Sequence, residues 1–437
     1  MKIGLIGNMN NNNFSLMRYF RDLGADAHLL LYSNDGLSSL SHFTPEADTW
    51  DLKCWAPFIH QTEIPNAPIS AFDFPLSFIL GIRARFRSKT TDQDFFPGPV
   101  SREEIRNTYG DYDLLIASGS SPAALIRIDR GLDLFYPYSM GVEFLGSYVF
   151  TASSRGSWIR RMFGFAIRRQ QLKGLLRSKS VIVLDNEVTG LLCSKLGIPN
   201  LLLSTPMVYN KENLPLKPIT STQFVAEKAI TNADFTVLHH ARLMWTHNES
   251  YSEEENFLAT KNSDWLIHAF SKLLSRLPSL RACLLIVEYG PDVAATKELV
   301  RKLGIHENVT WLPVMSRREI MWILSRISVG VGEFMNPSRM IWGGTGWETL
   351  AAGKPLLQRN LFNDGEFATM FGYPPPPMLS VRTESDVFEQ LLYAAECPEE
   401  VAKIGQAACE WFDTYNGIAM AKRWLDVVCS ESSTANH

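Results

Sequence analysis

The run Gly343-Gly344-Thr345-Gly346-Trp347-Glu348 combines residue types suited to one task, the capture of a phosphorylated sugar. Its glycines lead into a helical stretch, Gly346 to Ala352, which Gly353 ends and Pro355 cannot extend. Backbone N–H groups at a helix start have no intrahelical partner, and bare glycines let an anion approach them, so the segment can hold a diphosphate. Thr345 adds a hydroxyl donor, and Glu348, about one turn in, can accept hydrogen bonds from sugar hydroxyls of the same ligand. A plain glycine-rich turn with a first-turn Glu favoured by the helix dipole fits the same residues. Position separates the two readings, because cations stand where such a ligand needs them. His239-His240-Ala241-Arg242 directly follows an apolar strand, which puts Arg242 at a strand's carboxyl end with a planar fork suited to phosphate oxygens. Lys261, beyond an acidic insertion and just before the next helix, supplies a second positive charge. Negative charge developing on a departing diphosphate needs such cations.

The elements that must position these residues repeat as strand, loop, helix. Lys2 to Ile6 reads as a short buried strand ending at Gly7, followed by the loop Asn8-Met9-Asn10-Asn11-Asn12-Asn13 and a helix from Phe14 to Leu23 that Gly24 closes. Strands follow at Ala27 to Tyr32, Leu114 to Ala117 and Val181 to Leu184. The pattern restarts with strand Phe235 to His239, helix Ser263 to Leu277, strand Ala282 to Val287, helix Val293 to Leu303, strand Val309 to Leu312, helix Arg317 to Leu324 and strand Ile327 to Val331. Strands apolar on both faces and alternating with helices predict parallel sheets covered on both sides. At 437 residues the α/β chain is long enough for two doubly wound, Rossmann-like domains facing a central cleft. We read residues 1–209 as the first, with a C-terminal helix over about 415–437 packed back on it, 210–234 as a linker, and 235–414 as the second.

The second half resembles the donor-binding domain of GT-B glycosyltransferases, in particular the family 4-like enzymes. The matching pieces are His240-Ala241-Arg242-Leu243, Lys261 with Trp265 to Phe270, Leu285 to Pro291, Asn308 to Leu312, and Gly346 to Pro355, in the family's order and over most of residues 235 to 360. The first half is similar in its scheme: a glycine after the first strand, and Ser204-Thr205-Pro206-Met207 before the linker. The resemblance implies that Arg242 and Lys261 neutralise the diphosphate of a nucleotide sugar and that Glu348 binds the ribose. It also implies that Pro313-Val314-Met315 lies near the base, with Val314 in contact, and that Gly343, Gly344 and Thr345 lie near sugar and phosphates. Gly7 and its asparagines, Asn12 and Asn13 in particular, would face the donor from the other domain, since asparagine side chains bond sugar hydroxyls; such runs also form plain turns.

Two departures from the family stand out. Its Glu eight positions before Glu348 is Met340 here, and its acceptor-side histidine is missing from Tyr136 to Glu143, where Glu143 is the candidate replacement. Both bear on the sugar contacts and on the retaining stereochemistry that the family implies. Asp111-Tyr112-Asp113 has the form of a metal-binding Asp-x-Asp but precedes its strand, at the amino end, away from the expected ligands. No metal or cofactor is expected; the nucleotide-diphosphate sugar is a co-substrate. His239 and His240 read as strand-end structural residues, since no partner ligands stand near them in the sequence.

Arg155 to Lys179 carries eight basic residues and no acid, with Trp158, Ile159, Met162, Phe163, Phe165 and Ile167 on one helical face. It reads either as an interfacial helix drawn to anionic lipid or as a domain helix whose arginines face water. A net charge of -4 argues against a nucleic-acid partner, and no apolar run of about 18 residues occurs to span a membrane. Six cysteines without C-x-x-C spacing fit a reducing cytoplasm, the expected location, with contact at the inner face of the membrane if the basic helix binds lipid. The expected activity is hexosyl transfer from a nucleotide sugar to a glycan or lipid-linked acceptor in surface polysaccharide assembly. The alternatives are an inactive nucleotide-sugar-binding scaffold and a sugar-nucleotide epimerase. A nicotinamide dehydrogenase does not fit, since Gly7-Asn8-Met9-Asn10 lacks the G-x-G-x-x-G spacing.

Overall fold

Short apolar runs become strands buried on both faces, stacked into two parallel sheets. The structure is a computed structural model and describes residues 1–33, 44–66, 100–137, 169–336 and 343–433. Among these, the first sheet contains β1 (Lys2–Ile6), β2 (Asp26–Leu31), β3 (Ile59–Gln61), β4 (Leu114–Ala117), β5 (Leu134–Phe135), β6 (Ser180–Val183) and β7 (Asn200–Leu202). The second contains β8 (Phe235–His239), β9 (Ala282–Val287), β10 (Val309–Leu312), β11 (Val329–Val331), β12 (Leu356–Arg359) and β13 (Leu379–Val381). Their orders are β3-β2-β1-β4-β5-β6-β7 and β10-β9-β8-β11-β12-β13, with every described pairing parallel. The order reverses between β1 and β4 and again between β8 and β11, so each sheet opens a crevice at the carboxyl ends of those strands.

Helices cover both faces of each sheet. Met17, Phe20 and Leu16 of the helix Asn12–Asp22 pack on one side of the first, and Ile105, Tyr109, Leu125 and Leu175 on the other. Around the second sheet, Leu266, Phe270 and Leu391 fill one side and Trp322, Ile323 and Met315 the other. The last helix, Ile418–Ser433, sends Met420, Trp424 and Val428 into the first core, where Trp424 meets Tyr136 at 5.5 Å and donates from Nε1 to the Ser204 carbonyl at 2.9 Å.

The expected α/β scheme of two doubly wound sheets is present, and the differences are local. Strands β3, β5 and β7 have two or three residues each, too few to show a period. Residues 210–234 are more than a linker: Thr220 and Gln223 form a capping box that starts the helix Ser221–Thr231. The glycine-rich helix begins earlier than its sequence suggests, at Gly344, because Gly343 is extended and acts as its cap. In the basic stretch, residues 169–176 are helical, Leu175 is buried in the first core, and Arg177 and Lys179 pair with Asp129 and Asp133 at 3.1 and 2.8 Å. This part therefore behaves as a domain helix; residues 155–168 lie outside the described residues. Among the described residues no helix is long and apolar enough to cross a membrane.

Candidate functional site

The loop after β8 carries Arg242, and two features hold it at the strand's carboxyl end. The Leu243 N–H donates to the Tyr289 carbonyl at 2.7 Å, and the side chain of Asp292 accepts from Trp245 N and Thr246 N at 2.5 and 2.8 Å. Gly290 permits this closeness: its φ is +120°, and a Cβ there would lie 2.3 Å from the Leu243 carbonyl oxygen. Arg242 itself is exposed, lines the cleft and has no hydrogen bond or ion pair among the described residues.

Lys261 is placed by its backbone, whose N–H donates to Met244 O at 2.7 Å, and its ammonium is ion-paired with Glu333 just past β11. Glu333 is fixed in turn by Gln358, whose side-chain oxygen accepts from Glu333 N at 3.0 Å and whose amide donates to Glu333 O at 2.7 Å. Gly332 leaves room for that amide; a Cβ there would fall 1.9 Å from Gln358 Oε1.

Glu348 lies in the eight-residue helix Gly344–Ala351, whose first residues, Gly344 and Thr345, open on the cleft. The helix start has no side-chain cap, and the Thr345 hydroxyl has no partner among the described residues. The Glu348 carboxylate is buried and bound on both oxygens, to His240 Nε2 at 2.9 Å and to Arg317 Nε at 2.9 Å. Burial alone would raise its pKa, but the His240 hydrogen bond and the Arg317 charge outweigh it and hold the carboxyl down at about 2. Arg317 starts the helix Arg317–Leu324, and its Nη1 reaches Asp48 of the first half at 2.9 Å and Met207 O at 3.3 Å. Asp48 also binds Arg18, which binds Glu212 at 3.1 Å.

These groups share one cavity of about 290 Å³ at the switch point of the second sheet, with Arg242, Lys261, Val314, Gly344, Thr345 and Glu348 in its wall and Asn10 and Met207 reaching in from the first half. Gly343 does not line the cavity, although a Cβ there would lie 3.1 Å from Oε1 of Glu333, which does. The asparagine loop is used differently from the expectation. Gly7 donates its N–H to Leu30 O, Asn13 is fully buried with its amide on the Ile6 and Gly7 carbonyls at 2.9 and 2.7 Å, and neither they nor Asn12 line the cavity. Asn10, in the left-handed region with φ 53°, is the loop residue that does. Glu143 and Met340 lie outside the described residues. Asp113 accepts from Lys2 N at 2.7 Å, at the amino ends of β1 and β4.

Four residues of this network were not singled out from the sequence: His240 as the partner of Glu348, and Asp48, Arg317 and Glu333. Glu333 was within reach of the rule that selects Arg242, since it closely follows β11; Arg317 opens the helix after β10, where a basic residue carries no such signal. Asp48 carries no such signal.

No family model matches the chain, and no curated protein matches it in sequence. Solved structures do match it in shape. Anabaena HepE, solved in complex with UDP and glucose, superposes with a TM-score of 0.53 at 12% identity over 99% of this chain and 100% of that one. Sucrose-phosphate synthase from Thermosynechococcus elongatus gives 0.56 at 14% identity, again over 99% and 100%. A putative UDP-N-acetylglucosamine 2-epimerase from Listeria monocytogenes gives 0.54 at 9% identity over 99% and 97%. The shared property is the fold: two Rossmann-like domains in the GT-B arrangement.

Proposed function

We propose that this chain is a glycosyltransferase of the family 4-like kind, moving a hexosyl group from a nucleotide-diphosphate sugar to a glycan or lipid-linked acceptor, with retention and without a metal. One observation carries the reading. Arg242, Lys261, the uncapped start of Gly344–Ala351 and the Glu348 carboxylate, drawn from three separate loops, line a single cavity between the two sheets. Their chemistry matches a diphosphate flanked by hydroxyl-bearing sugars. Shape likeness to HepE solved with UDP-glucose fits the same donor class.

In this reading the Arg242 guanidinium meets the diphosphate first, because no protein anion competes for it. The Gly344 and Thr345 N–H groups and the Thr345 hydroxyl bind the same phosphates. Lys261 follows, exchanging Glu333 for phosphate oxygen. As the bond from the sugar's anomeric carbon to the diphosphate oxygen breaks, its electron pair leaves with the diphosphate, the acceptor's hydroxyl oxygen bonds to that carbon on the same face, and the hydroxyl proton passes to the departing diphosphate, whose added charge these groups stabilise. Val314, about half exposed, offers an apolar face to the base. Asn10 takes the first-half role that the sequence suggested for Gly7, Asn12 and Asn13. We assign the acceptor side to the first half, with Glu143 its proposed carboxylate, and surface polysaccharide assembly at the inner membrane face as the setting. Anionic lipid contact is part of the same proposal, assigned to the basic residues of 155–168 within the stretch 155–179, since Arg177 and Lys179 already pair with acids of the domain.

The test is turnover of a panel of purified nucleotide sugars with and without glycan and lipid-linked acceptors, read by mass spectrometry. Sugar on the acceptor and released nucleoside diphosphate are expected. An epimerised donor formed without acceptor identifies an epimerase instead, and binding without turnover across the panel identifies a scaffold.

A further inference from the structure

A line of ion pairs runs through the protein interior from the first half to the cavity: Glu212 to Arg18 at 3.1 Å, Arg18 to Asp48, Asp48 to Arg317 at 2.9 Å, Arg317 to Glu348 at 2.9 Å, and Glu348 to His240 at 2.9 Å. None of these side chains is more than 14% exposed. Buried ion pairs of this sort add little net stability, since desolvation consumes most of the Coulomb gain and apolar packing would serve as well. What they do provide is direction. A guanidinium is planar, and Arg317 uses one edge atom, Nε, for Glu348 and another, Nη1, for Asp48. The carboxylate in the cavity wall is thereby oriented, through Arg317, by an acid that lies 269 positions before that arginine, on the other sheet's side of the cleft. Asp48 is in turn held by Arg18, which is fully buried and stacked over the Phe14 and Tyr209 rings at 4.2 and 4.4 Å, so it has little freedom to follow if the halves separate.

We propose that Asp48 is a positioning residue for the nucleotide-sugar site: through Arg317 it sets the orientation in which Glu348 receives a ligand's sugar hydroxyls. The inference rests on the proposed function and deepens it. Its consequence is that the site is complete only with the two halves docked. By linkage, a ligand that needs Glu348 in place favours the docked arrangement by the same free energy.

The experiment titrates UDP, GDP, ADP and TDP calorimetrically into wild type, Asp48→Asn, Glu348→Gln and the double variant, with thermal melts of each. Asp48→Asn is expected to weaken the best-bound diphosphate about five- to tenfold. In the Glu348→Gln background the same change is expected to have no further effect, because the residue through which Asp48 acts is already altered. Asp48→Glu should recover part of the affinity. Arg317→Lys, which keeps the charge but not the two-edged geometry, should lose as much as Asp48→Asn, and serves should the latter not fold. Unchanged affinity in Asp48→Asn, or an equal loss in both backgrounds, overturns the positioning role. Failure of wild type to bind any of the four overturns the donor-site reading itself.

Discussion

Lys261 and Glu333, 72 positions apart, form an ion pair in the wall of the cavity. The lysine lies just before one helix and the glutamate just past β11, so the pair ties together two loops at the switch point. It also holds the site near neutrality, since each other cavity-lining acid or base except Arg242 has an opposite charge beside it. A diphosphate must draw Lys261 away from Glu333. Glu333→Gln is therefore expected to lower the melting temperature of the free protein, by an amount reflecting about 3 kcal/mol for an uncompensated buried charge. It is also expected to enlarge the rise in melting temperature that a nucleoside diphosphate produces. Thermal melts with and without ligand check both.

Arg242 presents the opposite case. Exposed and unpaired among the described residues, it holds no part of the fold together, and its proposed role is in binding alone. Arg242→Ala should leave stability within about 0.5 kcal/mol of wild type. It should weaken nucleoside diphosphate binding by about 10- to 100-fold, the loss of one charge-assisted contact. A denaturant melt and a titration separate the two effects.

Three glycines should respond differently to the same added methyl. At Gly290 the φ of +120° and the Leu243 backbone at 2.3 Å leave no room, so Gly290→Ala should destabilise the fold by about 2–3 kcal/mol or more. At Gly344 nothing lies within 4 Å, so Gly344→Ala should fold normally, yet it places a methyl over the amides that the ligand needs and should weaken binding. Gly343→Ala is intermediate, because its methyl meets the movable Glu333 carboxylate at 3.1 Å. Melting temperatures and diphosphate affinities of the three variants check the order.

Acid should weaken the second half through two groups. His239 is buried with both ring nitrogens unpartnered, and burial, with the charges of His240 and Lys261 beside it, lowers its pKa from 6.5 to about 3. The unfolded chain therefore binds one more proton there below pH 6.5, and stability falls toward pH 3 with a slope approaching about 1.4 kcal/mol per pH unit from this residue. Glu348, held at about 2 against an ordinary 4.5, adds stability above pH 4.5 that is lost as the pH falls toward 2. Replacement of His239 by Leu should flatten the loss between pH 6.5 and 4.5 and leave below it only the loss due to Glu348, about half as steep as in wild type. Denaturant melts across that range read it directly.

Periodicity and chain punctuation made the two sheets legible, because strands such as Ala282–Val287 are apolar throughout and are followed by helices with a single buried stripe. That Arg242, Lys261 and the Gly344 to Glu348 turn meet in one cavity was legible for a related reason: they lie in the connections that leave β8 and β11, neighbouring strands of one parallel sheet. What could not be read is whatever depends on pairing between distant charges. Nothing near Glu348 in the chain announces His240 or Arg317, and nothing near Asp48 announces Arg317. The local bonding of the asparagine loop was not legible either. Asn8 and Asn13 close the turn on its own backbone, with Phe14 N donating to Asn8 Oδ1 at 3.0 Å, a use of asparagine that no spacing in the run distinguishes from ligand contact.

The most direct test compares a nucleoside diphosphate with its monophosphate, UDP against UMP and GDP against GMP, by calorimetry on wild type and on the Arg242→Ala/Lys261→Ala double variant. Wild type is expected to prefer the better diphosphate by about tenfold or more, and the double variant to lose most of that preference while still folding. Equal affinity for both forms in the wild type, or a preference that survives removal of both cations, would contradict the proposed donor site.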